Sequence, residues 1–354
     1  MLARLIALLP FKVWIPEGQE FAIHSYVDEG CKVLLYPLGR SAQSSSDDVP
    51  EVVTLNKIPA FQANVLRIEF QKEDFDRRKD SPPDPPKYIL ERAVNSFLTR
   101  LRYVAHAPDV RPLELMPKTW NLTYLNDDGS QIENKDGFIT LRQEWTLVFT
   151  LKFITQQIWD DILSLEPAFE PPAWETLILD AQNELLKIGP AIVLAATALE
   201  VFVSQILDEL GAVKKVPKDL WEWINKRESW MLEPSVEEQF DSLLKMLTGH
   251  SLIEDLALWK KFKNLKTARN KFVHEGVACI GGKPVDVQTA RELVEAAGKI
   301  IRKIKGWLPP ELHWKEFEHK VDIFIAKKFP SPKKLPSSPP KSDSKSARDE
   351  DGEK

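Results

Sequence analysis

Cysteine is nearly missing from this chain, which has only Cys31 and Cys279 in 354 residues. No CxxC pair and no Cys/His cluster accompanies them. A disulfide framework and a thiolate zinc site are therefore excluded, and the cytoplasm is the natural compartment. The 14 glycines nowhere assemble into a G-x-x-x-x-G-K-[ST] stretch or another Gly-rich loop that could cradle phosphates. A surplus of basic charge is also lacking, because the formal net charge is −5. That excludes indiscriminate coating of nucleic acid, so any RNA binding must rest on a local basic surface. His313 and His319 sit among Glu311, Glu316 and Glu318, but six residues apart they do not share a helical face and no further ligands converge. No metal and no cofactor is expected. An uninterrupted membrane-length apolar run is absent too. IGPAIVLAATALEVFVSQIL at 188–207 comes close, yet it carries Glu200 with Ser204 and Gln205 nearby, which points to a core helix. The opening MLARLIALLPFKVW lacks an A-x-A-like cleavage site and runs straight into strand-like sequence, so it reads as fold rather than signal peptide, and no membrane partner is expected.

What the chain does have is an ordinary globular composition, 43% hydrophobic and 29% charged, at a length that permits two domains. ARLIALLPFKVWI, EFAIHSY, CKVLLYPL and NVLRIEFQK are rich in Val, Ile, Leu, Phe and Tyr and are separated by Pro, Gly, Asp and Ser, which predicts strands over the first 80 or so residues. A helix is expected at 88–107, then further strands from Lys118 to Phe153 joined through Asp-Gly turns. Together these make an N-terminal mixed α/β-sheet domain over 1–167. Pro167, Pro171 and Pro172 break the pattern, and helices are predicted at 173–187, 190–211, 217–227, 235–248, 252–273 and 286–306. Gly211, Gly249 and Gly276 stand as their stops. The class is therefore α+β, with an all-α bundle over 172–308. Residues 309–329 read as one more helix packing back on the first domain. The tail, 330–354, has no large apolar residue except Leu335 and is expected to be disordered. No internal repeat is present.

The stretch that carries chemistry is 252–276. Leu252, Leu256, Leu258, Phe262, Leu265, Phe272 and Val273 recur at helical spacing and predict one amphipathic helix. Lys260, Lys261, Lys263, Lys266, Arg269 and Lys271 follow one another with no acid between Asp255 and Glu275, a positive surface on an acidic protein. Asn270 and His274 fall one turn apart on one face, and Arg269 lies about 100° round from Asn270. An imidazole can move a proton near neutral pH, a guanidinium can grip phosphate oxygens bidentately, and an amide can hold a hydroxyl. The three suit phosphodiester chemistry without a metal.

Arg269-Asn270, three residues, His274 and then Gly276 resemble the signature of the HEPN superfamily (higher eukaryote and prokaryote nucleotide-binding). The earlier apolar helix with its single acid, Glu200, resembles that family's acid-bearing buried helix. The resemblance covers about residues 172–308, and within the superfamily it is nearest to the stand-alone Apea-like and RiboL-PSP-type proteins. It implies a HEPN-like bundle acting as a homodimer, in which His and Arg of two protomers meet and RNA is cut without metal to leave a 2′,3′-cyclic phosphate. On that analogy His274 activates the 2′-hydroxyl or protonates the leaving oxygen, Arg269 stabilises charge on the phosphoryl group, Asn270 orients the site, and Glu200 holds Arg269. The same resemblance implies a stress or phage-defence role, with an antitoxin or other regulatory partner.

Plainer readings stand beside these. Arg269 can pair with an acid, Asn270 can cap backbone, and His274 can simply close the helix. Lys263, Lys266 and Lys271 are candidate RNA-backbone contacts, or else a solvated helix face. Trp221, Trp223 and Trp230 can stack bases, or pack a core or dimer. A non-catalytic module for dimerisation, or for binding a nucleotide or partner, is the competing function. A third reading is a structural adaptor whose activity resides in the N-terminal sheet.

Overall fold

The computed structural model describes residues 1–40, 52–55, 58–73, 75, 84–115, 120–132, 148–226, 234–317 and 323–326, and its architecture is α+β. Strand β1 (Leu2–Pro16) alternates, with Ala3, Leu5, Ala7, Leu9, Phe11 and Val13 buried and Ile6 and Leu8 exposed. That period of two is what makes it a strand with one face in a core. It pairs antiparallel with β5 (Ile58–Gln71) from Leu2 opposite Gln71 to Pro16 opposite Ala60, with a register shift between Leu8 and Val13. Its other edge takes β6 (Trp120–Leu125) antiparallel along Leu2–Ala7 and β7 (Val148–Phe153) parallel from Phe11. β5 in turn carries β3 (Cys31–Leu35), which pairs with β2 (His24–Asp28), and at its other end β4 (Val52–Leu55). Of the two expected Asp-Gly turns, Asp128-Gly129 closes a turn after β6, with Gly129 at φ +81°; Asp136-Gly137 lies outside the described residues.

Helix α1 (Lys87–Val104) buries Leu90, Val94, Phe97, Leu98 and Leu101 in the core that contains β1, β3 and β5. A helix that periodicity did not predict, α2 (Gln156–Leu163), adds Ile158, Trp159 and Ile162 to it. The signal for α2 was Thr155, whose hydroxyl accepts from the Ile158 amide at 3.3 Å as an N-cap.

A second core fills the helical half. It is built from α3 (Ala173–Asn183), α4 (Ile188–Val213), α5 (Lys218–Lys226), α6 (Val236–Glu238) running through a π turn into α7 (Leu244–Thr248), α8 (Leu256–Glu275) and α9 (Val287–Lys305). A short hairpin, β8 (Cys279–Ile280) with β9 (Lys283–Pro284), joins the last two. α4 is long and apolar enough to cross a membrane by composition, but it lies in this core, burying Ala195, Leu199, Phe202, Val203 and Ile206.

Three expectations need correction. Gly211 does not stop α4, which runs on to Val213 and ends beside Lys215 at φ +56°. Gly211 instead lets the Trp221 ring approach, 3.2 Å from where a Cβ would stand. The predicted helix from Leu252 begins at Leu256, because Asp255 accepts from the Leu258 amide and Leu252–Glu254 form a separate 3-10 turn. The described residues of the 309–329 segment form no α-helix. After a 3-10 turn at Pro310–Leu312 the chain turns extended at His313, and Ile323–Ala326 forms β10, antiparallel to β4. The β-branched and aromatic run Ile323-Phe324-Ile325 favours a strand, and the free edge of β4 offers it backbone partners. The expected return to the first domain thus happens by strand addition. The tail at 330–354 lies outside the described residues.

Where the two cores meet, the contacts are largely ionic. Arg102 pairs with Asp180 at 2.5 Å, His106 faces Glu175 at 3.3 Å, and Arg111 pairs with Glu184 at 2.9 Å. Tyr103, in the first core, makes ring contacts there with Phe169 and Phe317.

Candidate functional site

The end of α8 is positioned by a close contact. Phe272 lies against Gly189 in the first turn of α4, and a Cβ built on that glycine would fall 2.0 Å from the ring. Only glycine permits this approach, and it locks the last turn of α8 onto the second core. Phe262, Leu265 and Ala268 complete the buried stripe, with Leu258 and Phe272 half-buried. Leu256 and Val273, expected on that face, are 75% and 53% exposed. Gly276 then ends the helix at φ +75°, its amide donating to the Phe272 carbonyl at 2.8 Å.

Arg269 is half-buried, and its Nη1 donates to Oδ1 of Asn270 at 3.1 Å. Its Nε is buried with no hydrogen-bond partner. His274 is exposed in the last turn. Five residues separate Arg269 from His274, which on an α-helix is about 140° of rotation, so the two point to different sides of α8. Asn270 lies between them, bonded to one and a turn below the other. The structure therefore brings Arg269 and Asn270 together and presents His274 to solvent beside them.

Glu200 lies elsewhere. Taking Phe272 over Gly189 as the common level, Glu200 is eleven residues, about 16 Å, further along α4, whereas Arg269 is three residues, about 4.5 Å, from Phe272. Even an antiparallel packing leaves the two about 12 Å apart along the axis. No ion pair joins them, and Arg269 uses Asn270 instead. Glu200 occupies a partly exposed stripe of α4 with Leu194, Thr197, Val201 and Ser204.

The basic face is more nearly neutral than its sequence. Lys266 pairs with Glu237 at 2.9 Å, Lys261 with Glu292 at 2.6 Å, and Lys271 with Glu275, whose carboxylate raises the Lys271 pKa through a hydrogen bond. Glu237 and Glu292 come from α6 and α9, so no reading of α8 alone could have found them. Lys263 is exposed and makes no ion pair with a described residue. Of the tryptophans, Trp221 donates its indole N–H to Asp208 at 2.8 Å and packs on Gly211, Trp223 is 61% exposed, and Trp230 lies outside the described residues. His313 is bound to the Leu308 carbonyl at 3.0 Å, and His319 lies outside the described residues. The two cysteines are free, and burial pushes the Cys31 thiol up. No protein-family model, no curated protein and no solved structure matches the chain.

Proposed function

We propose that the chain is a metal-independent endoribonuclease of HEPN type, working as a cytoplasmic homodimer. The observation that supports this best is Arg269: a half-buried guanidinium with an unpaired Nε, tied to Asn270, which lies one turn from an exposed imidazole. A cation held in place without a carboxylate suits a phosphoryl group that brings its own charge. In the reaction His274 takes the proton of the 2′-hydroxyl, the 2′-oxygen attacks phosphorus, and the bond to the 5′-oxygen breaks. That oxygen leaves with a proton from an imidazolium, and the products are a 2′,3′-cyclic phosphate and a 5′-hydroxyl. The 140° divergence of Arg269 and His274 within one chain fits a composite site, in which Arg269 of one protomer serves His274 of the other. A stress or phage-defence role, and an antitoxin or other regulatory partner, follow from the family resemblance alone.

The competing reading, a non-catalytic binding module, has its own support in the separation of Glu200 from Arg269 and in the acids that occupy Lys266 and Lys271. RNA cleavage in EDTA, comparing wild type with His274→Ala and analysing product ends, separates the two. Cleavage that leaves cyclic-phosphate ends and falls at least a hundredfold in the variant, the scale of a lost general acid or base, supports the nuclease. Equal trace cleavage by both proteins overturns it in favour of the module.

A further inference from the structure

Between the two cores lies a cleft of about 630 Å³, within the range that takes a small organic ligand. α1, α3 and α9 build its walls, and Glu316 and Phe317 border one side. Its floor is apolar: Tyr103, Ile178, Leu179 and Ile301 are each less than a tenth exposed. Its rim is charged, and the charges are not all spent. Lys305 pairs with Glu316 at 2.5 Å, and His106 faces Glu175 while its Nε2 meets the Phe317 carbonyl at 3.0 Å. Arg302 and Lys299, by contrast, have no carboxylate in ion-pair range among the described residues, and Glu295 is the one unpaired acid on the rim. The unspent charge is positive.

The placement of Arg302 is specific. Gly298 stands mid-helix in α9, where glycine is unfavourable. The Arg302 Nη1 lies 3.6 Å from where a Cβ on Gly298 would be, so the guanidinium folds back across the glycine into the cleft. The same side chain borders a second cavity of about 270 Å³ behind the Lys305–Glu316 pair. A helix that gives up a side chain, beside an arginine bent over the gap with no acid to meet it, is arranged for an external anion. A sequence signal was available: Gly298 interrupts the exposed series Glu295, Lys299, Arg302.

We propose that this cleft binds a small organic anion, its phosphate or carboxylate on Arg302 and Lys299 and its compact apolar body on the floor between Tyr103 and Ile301. Because the ligand touches α1 on one side and α3 and α9 on the other, occupancy fixes the two halves against each other. The inference is independent of the nuclease reading.

Isothermal titration of the full chain with 1-naphthyl phosphate tests it. One saturable site per chain is expected, with inorganic phosphate and 1-naphthol each binding at least tenfold more weakly, since each supplies only half of the contacts. Arg302→Gln should weaken binding by tenfold or more, the scale of a lost charge-assisted hydrogen bond. Gly298→Leu should abolish binding by filling the cleft, with thermal midpoints of both variants near wild type. Absence of a saturable site in the wild type, binding that survives both substitutions, or inorganic phosphate binding as tightly as the aryl phosphate each overturns the proposal.

Discussion

The Gly189–Phe272 contact sets the position of the whole candidate site, and Gly189→Ala tests it. A Cβ at residue 189 would lie 2.0, 2.3 and 2.4 Å from three ring carbons of Phe272. Carbon atoms rest about 3.5–4.0 Å apart, so the ring has to withdraw by about 1.5 Å. A phenyl ring packed against a core yields slowly, and such overpacking costs about 1–3 kcal/mol. Replacing glycine in a helix returns at most about 1 kcal/mol, and less in a first turn. The expected net loss is about 1–2 kcal/mol in urea unfolding followed by circular dichroism, with an unchanged m value. Phe272→Leu alone should cost about 1 kcal/mol, because the ring is half-buried. In the double variant the clash is gone, so its loss should fall short of the sum of the two by about 1 kcal/mol or more. A Gly189→Ala protein as stable as wild type, or strictly additive losses, would refute the close-packing argument. Since His274 is two residues beyond Phe272, Gly189→Ala should also lower any cleavage that depends on His274.

Two further perturbations test the N-terminal half. Glu69, 3% exposed, accepts from Tyr36 at 2.7 Å, Arg4 at 2.8 Å and Arg67. Burial pushes its carboxyl up, but those three donors together hold it below the ordinary range. Glu69→Gln should therefore cost about 1–3 kcal/mol at pH 7. A depressed pKa stabilises above the unfolded value, about 4.3, and that stability is lost as pH falls through the folded value. The gap between wild type and variant should then narrow by pH 3; a gap independent of pH contradicts the assignment. Burial also pushes the phenols of Tyr26 and Tyr103 up to about 12. Their neutral forms stabilise the fold fully below pH 10, where the unfolded phenol titrates, and that contribution is lost between pH 10 and 12. Tyrosinate absorbance at 295 nm should lag in the native protein behind the denatured chain, and superimposable titrations would be the contrary result.

Much of the fold was legible because it follows local rules. Richness in β-branched and other apolar residues marked β1, and the Pro-rich break at Pro167–Pro172 separated the two cores. Helical spacing and glycines in the left-handed region located α8 and its end at Gly276. The errors came where a distant element decided. Gly211 reads as a stop because glycine commonly is one, but the Trp221 ring needs its bare Cα. The 309–329 segment has helical spacing, yet β4 had an unpaired edge for Ile323–Ala326. Leu256 and Val273 fit the apolar pattern of α8, but its packed stripe is narrower than that pattern.

By itself, the sequence determined what depends on near neighbours: the α+β class, the strand and helix periods, and the proximity of Arg269, Asn270 and His274 on one helix end. Tertiary structure decided everything that needs a second element. It seated Phe272 on Gly189, turned Arg269 to Asn270 rather than to Glu200, and brought Glu237 and Glu292 from other helices to neutralise Lys266 and Lys261. It also opened the cleft between Tyr103 and Ile301. The reason is one of range. Helical geometry fixes angles only within a segment, whereas charge pairing and close packing depend on which side chains other segments deliver to the same point in space.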